Sequence, residues 1–284
     1  MTAQSSVARQ ASPTREEKYD AFRALHERSG VFVIPNPWDA GSSRILTAVG
    51  FEALATTSAG YAFSIGRSDL PGSLTREGLL ANAKEIAEAT HLPVSADMQN
   101  GFGRSPDACA EMIRLAAAAG LAGGSIEDSS GEDGQPIYEF KLAVERIAAA
   151  AEAARKHKFF LTARTENYLW GRPDLEDTLR RLNAFADAGA DCLYAPGLPD
   201  LETVAKVCAA VPKPVNVLMG RLGATYSVAD IAKAGGKRIS VGGTLTRVAF
   251  GAFVRAAREM KEKGTFTFSQ EAISHDEMER YMKG

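Results

Sequence analysis

The sequence predicts an α/β fold, a single (β/α)8 barrel of the TIM type, and three observations predict it. Short apolar runs recur along the chain, each is followed by an amphipathic helical pattern, and the pair occurs eight times. Runs that are apolar on both faces mark parallel strands covered by helices, joined by right-handed crossovers, and eight such units match closure into a barrel. Gly120, Gly189, Gly235 and Gly236 follow the last turns of helical segments, where a left-handed cap meets no Cβ clash. A chain of 284 residues could hold one large domain or two small ones. The unbroken repeat selects one domain over residues 1–284, with a polar N-terminal extension at 1–29 and a helical tail at 265–284.

The units follow in order. The first strand is "VFVIPN" (31–36) with a helix at 39–49, the second "ALATTS" (53–58) with a helix at 75–90, and the third "PVSAD" (93–97) with a helix at 106–119. Then come "GSIED" (124–128) with a helix at 138–157, "FFLTAR" (159–164) with one at 174–188, and "CLYAPG" (192–197) with one at 200–210. "PVNVLM" (214–219) precedes a helix at 227–234, and "RISVGG" (238–243) precedes the eighth, at 244–263. The tail "TFTFSQEAISHDEMERYMKG" adds a further helix that a closed barrel does not need, which suits packing on a neighbouring subunit.

Composition narrows the partners. A net charge of −2 with acids and bases interspersed gives no basic stripe for nucleic acid and no polybasic membrane anchor, leaving a small molecule as the expected ligand. No apolar run reaches the roughly 18 residues of a bilayer span, and the first twenty residues lack the apolar core of a signal peptide, so a cytoplasmic location is expected. Cys109, Cys192 and Cys208 are scattered and odd in number, which fits reduced packing thiols. His26, His91, His157 and His275 fall on helices, before strands or in the tail, away from where a histidine base would act.

In such barrels the reactive groups gather at the C-terminal strand ends. The candidates there are Asp39, Thr57, Ser58, Asp97, Gln99, Asn100, Glu127, Asp128, Arg164, Glu166, Tyr194, Asn216 and Ser240. Asp97 and Glu127 end neighbouring strands with no lysine nearby in sequence. Either a divalent cation with hard oxygen ligands relieves their repulsion, or Glu127 pairs with Arg164 while Asp97 caps its loop. "TTSAGYAFSIGRSD" (56–69) reads as a long small-residue loop whose hydroxyls and backbone N–H groups either hold a substrate oxygen or satisfy their own backbone. Arg164 is the strand-end arginine suited to bidentate carboxylate binding. "SVGG" (240–243) either offers backbone N–H groups to a phosphate or allows close helix packing.

Five ordered motifs, "NPWDAGSSR" (36–44), the hydroxyl loop at 56–60, "ADMQNGFG" (96–103), "SIED" (125–128) and "ARTEN" (163–167), resemble the phosphoenolpyruvate mutase/isocitrate lyase superfamily, in particular its phosphoenolpyruvate mutase-like and carboxyphosphonoenolpyruvate phosphonomutase-like members. The resemblance spans residues 30–262. It implies a barrel that uses Mg2+, with Mn2+ as the alternative ion, to act on 2-oxo or 2-hydroxy acids through an enolate. Asp97 would be the direct metal ligand, Asp69 and Glu127 would hold metal-bound water, and Gln99 stands where relatives carry a second acid. Ser58, Ala59 and Gly60 would bind substrate carboxylate oxygens, with Thr57 and Asn216 as further substrate contacts. Asp97, Glu127 and Arg164 would form the catalytic set, and the implied assembly is a homotetramer with the terminal helix exchanged between paired subunits.

The chain departs from its relatives in ways that bear on the reaction. Where lyases carry a K-x-C-G-H gating loop, it has "EDSSGEDGQPIYEF" (127–140), and 129–138 contains neither the lysine nor the asparagine of the phosphonate-processing members. "VGGT" replaces the histidine of oxaloacetate decarboxylases. The expected activity is therefore a lyase or decarboxylase on a small 2-oxo or 2-hydroxy (di)carboxylate, with a phosphonomutase-like isomerase or a non-catalytic metabolite-binding barrel as alternatives.

Overall fold

The structure, a computed structural model, describes residues 12–220 and 225–283. Its strands are β1 (Phe32–Ile34), β2 (Leu54–Ala55), β3 (Val94–Asp97), β4 (Gly123–Glu127), β5 (Ser129–Glu132), β6 (Gln135–Ile137), β7 (Phe160–Arg164), β8 (Cys192–Tyr194), β9 (Val215–Leu218) and β10 (Arg238–Ser240). Eight of them form one parallel sheet in the order β1-β10-β9-β8-β7-β4-β3-β2, while β5 and β6 make a separate antiparallel hairpin. The Ala55 N–H donates to the Pro35 carbonyl at 3.0 Å, which draws the two sheet edges together into a nearly closed barrel.

One row of register partners decides the chemistry. Glu127 pairs with Arg164, Arg164 with Tyr194, Tyr194 with Asn216, and Asn216 with Arg238, across five consecutive strands. Register partners on parallel strands point to the same face. An acid, a guanidinium, a phenol, a carboxamide and a second guanidinium therefore stand side by side inside the barrel.

The helices are α1 (Arg15–Glu27), α2 (Ala40–Val49), α3 (Ser58–Ser64), α4 (Arg76–Glu88), α5 (Pro106–Ala118), α6 (Phe140–Lys156), α7 (Leu175–Asp187), α8 (Leu201–Ala210), α9 (Val228–Lys233), α10 (Thr244–Lys263) and α11 (His275–Met282). Asp39, Thr75, Ser105, Asp174, Asp200 and Ser227 start six of them, each accepting a first-turn N–H on its side chain. The main core packs α4, α5, α6 and α7 against the barrel through Ile86, Met112, Ile113, Ile147, Leu182 and Phe185.

Four features differ from the sequence expectations. The N-terminal extension is not merely polar: Thr14 and Glu17 form a capping box that starts α1, and Phe22 and Leu25 close the N-terminal end of the barrel on Phe32, Ile34 and Phe160. The segment expected as a loop at 56–69 contains α3, capped by the Thr57 side chain. Residues 129–137 form the β5–β6 hairpin. The fourth concerns the eighth helix and the tail. α10 buries Thr246 and leaves Val248 and Phe253 63% and 72% exposed, whereas α11 packs on α2 of its own chain, with Arg44 Nη1 donating to the Met282 carbonyl at 3.0 Å. Apolar side chains are thus uncovered on α10 as well as in the tail at 265–284, where Phe266, Ile273 and Met278 are exposed. No helix among the described residues is long and apolar enough to cross a membrane.

Candidate active site

Arg164 organises the open end of the barrel. Its Nη1 lies 3.4 Å from Glu127 Oε2 and 3.7 Å from Asp97 Oδ1, and its Nε donates to Glu166 Oε1. The guanidinium carbon sits 5.2 Å from the centre of the Tyr194 ring, on which it stacks. The other Asp97 oxygen, Oδ2, accepts from the Ser58 backbone N–H at 3.1 Å and the Ser58 hydroxyl at 2.8 Å. Glu127 therefore pairs with Arg164, as the second of the two readings expects, and Asp97 reaches the same guanidinium.

Their charge is not balanced by this guanidinium. Burial pushes the Glu127 carboxyl well above its usual range, opposed by Arg164 and reinforced by Glu166 and Asp97. Asp69, reaching over from the segment after α3, is also shifted upward, by burial and then by Asp97. Four acids, Asp69, Asp97, Glu127 and Glu166, share one arginine. Among the described residues no three His, Cys, Asp or Glu side chains converge into a ready-made metal cage. The donor set instead fits magnesium, which binds through one or two carboxylates and leaves its other positions to water and substrate.

The loop that follows β3 is held from two sides. The Gln99 carbonyl accepts from the Glu127 N–H at 3.0 Å and its own N–H reaches Asp97 Oδ1 at 3.4 Å, so its peptide bridges the ends of β3 and β4. This geometry puts Gln99 at φ +47° and Phe102 at +57°, left-handed conformations that cost about 1–2 kcal/mol each for L-residues. Sequence reasoning missed the group that stabilises this bend. Arg146 on α6, fully buried and stacked 4.3 Å from the Tyr138 ring, donates to the carbonyls of Asn100, Gly103 and Arg104.

Asp128 points away from the cleft. It accepts from the Glu166 N–H at 2.8 Å, the Thr165 hydroxyl at 2.9 Å and Arg181 Nη1 at 3.2 Å, tying the end of β4 to the segment after β7. Burial pushes its carboxyl up to about 6 despite the pull of Arg181.

The loop residues expected to bind substrate are partly committed elsewhere. Thr57 Oγ1 accepts from the Gly60 N–H at 3.2 Å, and a Cβ on Gly60 would stand 2.5 Å from Thr246 Oγ1, so Gly60 lets α3 meet the start of α10. Ala59 lies in the same contact, against Gly243. Ser58 faces the cleft with Asp97. The N–H groups of Val241 and Gly242 both donate to Asn36 Oδ1 at 2.9 Å, so "SVGG" is satisfied from within and is not an open phosphate cradle.

Two spaces adjoin Arg164. A cleft of about 710 Å³ is lined by Ser58, Asp69, Gln99, Glu127, Arg164 and Glu166, with Leu70, Leu169 and Trp170 at its rim. Beneath Asp97 and Arg164 a chamber of about 50 Å³ is lined by Tyr194, Asn216, Arg238 and Ser240. Asn216 thus sits below the cleft, its amide engaged by Arg238 and Ser240. His26 lies at the opposite end, where burial and Arg238 push its imidazole down to about 3.

The sequence model for the family described as phosphoenolpyruvate phosphomutase matches residues 22–261 of this chain. The chain belongs to the phosphoenolpyruvate mutase/isocitrate lyase superfamily. A solved superfamily structure from Burkholderia cenocepacia J2315, described no further than lyase/mutase, is 54% identical, covers 95% of this chain and 97% of its own, and superposes with a TM-score of 0.92. The 2,3-dimethylmalate lyase, a solved superfamily member, is 27% identical over 93% of this chain and 94% of its own, with a TM-score of 0.83. An uncharacterized protein of Mycobacterium tuberculosis (strain ATCC 25618 / H37Rv) is 33% identical over 244 residues, 85% of this chain and 89% of its own. The superfamily includes lyases of small carboxylic acids and commonly depends on magnesium.

Proposed function

We propose that the protein is a magnesium-dependent lyase or decarboxylase that breaks the bond next to the carbonyl of a small 2-oxo or 2-hydroxy (di)carboxylate, passing through an enolate. The observation that carries this reading is the set of four acids around one arginine at the C-terminal strand ends, beneath an open cleft. Asp97 would hold the ion directly, with Asp69 and Glu127 on its water ligands and Gln99 beside them. Bound there, Mg2+, or Mn2+ in its place, would supply a Lewis acid for the charge that develops on the 2-oxo oxygen. Arg164 would bind a substrate carboxylate, since its guanidinium already faces the cleft. Ser58 would orient both Asp97 and substrate from the start of α3, with Thr57, Ala59 and Gly60 shaping that start. Closure by the β5–β6 hairpin and the apolar rim would exclude water. The proposed assembly is a homotetramer joined through exchanged C-terminal helices.

Oxalate, which resembles the enolate of pyruvate in shape and charge, provides the test. Calorimetry is expected to find oxalate binding with magnesium and none without it, and Asp97→Ala is expected to abolish it while the circular dichroism spectrum is unchanged. A screen for pyruvate or glyoxylate release would then name the reaction. Oxalate binding that ignores magnesium would remove the metal from this reading, and tight binding without turnover of any 2-oxo acid would favour a non-catalytic barrel.

A further inference from the structure

Three large apolar side chains stand exposed around the mouth of the cleft, Leu70 at 62%, Leu169 at 44% and Trp170 at 40%. Exposed apolar groups gathered in a concave site mark ligand-binding grooves. They come from two segments, and each segment is tied to the acids of the site. Leu70 follows Asp69, and Ser73 closes its backbone into a turn, donating to the Leu70 carbonyl from its N–H at 3.1 Å and from its hydroxyl at 2.7 Å. The N–H groups of Leu169 and Trp170 donate to the Glu166 carbonyl at 3.0 and 3.1 Å, and the Glu166 side chain holds Arg164. Phe102 adds to this wall from the loop after β3, in the left-handed conformation at φ +57° that a bulky side chain rarely takes. Backbone held in such a conformation is a mark of functional sites.

The charges at the mouth are already matched. Among the described residues the cations lining the cleft are Arg164 and Arg104. Arg164 is shared by the acids beneath it, and Arg104 Nη1 donates to Glu132 Oε1 on the β5–β6 hairpin. A second carboxylate reaching the mouth would have to displace Glu132 from Arg104, whereas an alkyl group meets Leu70, Leu169 and Trp170 directly. There is also space for one. At roughly the 30 Å³ that a water takes in the liquid, the six non-hydrogen atoms of pyruvate fill about 180 Å³, a minor part of a cleft of about 710 Å³.

We propose that Leu70, Phe102, Leu169 and Trp170 form an apolar subsite for an alkyl substituent, so that the protein acts on 2-oxo or 2-hydroxy acids with an aliphatic chain beyond the carbonyl and not a second carboxylate there. The proposal rests on the functional reading above and narrows the substrate class within it. The acids and Arg164 fix where the reacting carbonyl lies, and the rim selects which acid is taken. Such selection is non-directional and grows with the apolar area covered.

The test measures displacement of oxalate from the full chain with magnesium, by calorimetry, using pyruvate, 2-oxobutanoate, 2-oxopentanoate and 2-oxoglutarate. The last two have the same carbon chain and differ in a terminal carboxylate. In the wild type, affinity is expected to rise roughly fourfold with each added methylene, about fifteenfold from pyruvate to 2-oxopentanoate, and 2-oxopentanoate is expected to bind more tightly than 2-oxoglutarate. Trp170→Ala and Leu70→Ser are expected to bring the ratio of 2-oxopentanoate to pyruvate affinity down towards one. The ratio is the readout because loss of folding or of metal weakens both acids alike. Leu169→Arg is expected to reverse the preference in favour of 2-oxoglutarate. Equal wild-type affinities along the series, or tighter binding of 2-oxoglutarate than of 2-oxopentanoate, would overturn the proposal, as would an unchanged ratio in both Trp170→Ala and Leu70→Ser. Absence of magnesium-dependent oxalate binding in the wild type would instead reject the functional reading, and the alkyl subsite with it.

Discussion

At the scale of single residues, the position that distinguishes this site is Gln99. Its backbone joins the ends of β3 and β4, and its side chain lines the cleft beside Asp69 and Glu127, yet it brings no charge. A carboxamide oxygen can hydrogen-bond metal-bound water but adds no Coulomb attraction to the ion. Gln99→Glu is therefore expected to tighten magnesium binding by the substrate-free protein roughly tenfold, the effect of one more carboxylate near a dication in a partly solvated site. The left-handed backbone is unchanged by this substitution, because glutamate meets the same Cβ restriction as glutamine. Magnesium titration by calorimetry checks it, and an unchanged affinity would mean that position 99 does not face the ion. The resemblance drew attention to this residue; the strain at φ +47° could not be read from the sequence, since nothing in "ADMQNGFG" says which non-glycine residues take the left-handed bend.

At the scale of elements, Asp128 joins two strand ends whose acids and arginine must stay in register. Its carboxyl is raised to about 6 by burial, against an ordinary value of 3.8. Between those values the folded protein holds a proton that the unfolded chain has released, so this group's contribution to stability is full below pH 4 and is lost as pH rises to about 6. The loss is at most about 3 kcal/mol, from a shift of about two units at 1.36 kcal/mol each. Asp128→Asn cannot titrate. The stability advantage of wild type over the variant is therefore expected to be greatest near pH 4 and smallest near pH 7, measured by urea unfolding at the two values; a difference independent of pH would contradict it. The barrel itself was legible because strands such as "FFLTAR" are apolar on both faces and their helices carry clear apolar stripes. α1 was not, because the stripe made by Phe22 and Leu25 is narrow and lies in a charged segment. α3 was hidden because Ser, Ala and Gly carry no apolar period, and only the cap at Thr57 announces it. Asp97, Glu127 and Arg164 could be placed together from strand ends alone. Arg146 and Arg238 could not, because a buried arginine that donates to carbonyls or neutral side chains looks in sequence like any surface arginine.

At the scale of the whole molecule, α10 is an element left unfinished by a single chain. Twenty residues long, it packs near its start against α3 and presents Val248, Phe253, Val254 and Met260 to solvent. Apolar patches of this kind mark association surfaces, and burying a side chain such as Phe or Val is worth about 1.5–3 kcal/mol. In a two-fold interface every residue occurs twice, so a charge introduced at one position enters the contact from both subunits. Light scattering is expected to find the wild type as a tetramer and Phe253→Glu at a lower assembly state, with secondary structure preserved because that side chain is already 72% exposed in the isolated chain. A wild type that remains monomeric at high concentration would show that this face is covered in some other way. If the variant dissociates and also binds oxalate more weakly, the link is local: Gly60 and Ala59 of α3 stand against Thr246 and Gly243 at the start of α10, and α3 begins with the Ser58 that holds Asp97. Assembly through α10 would then help fix the position of the acid proposed to hold the metal, coupling the oligomer to the site through one short helix.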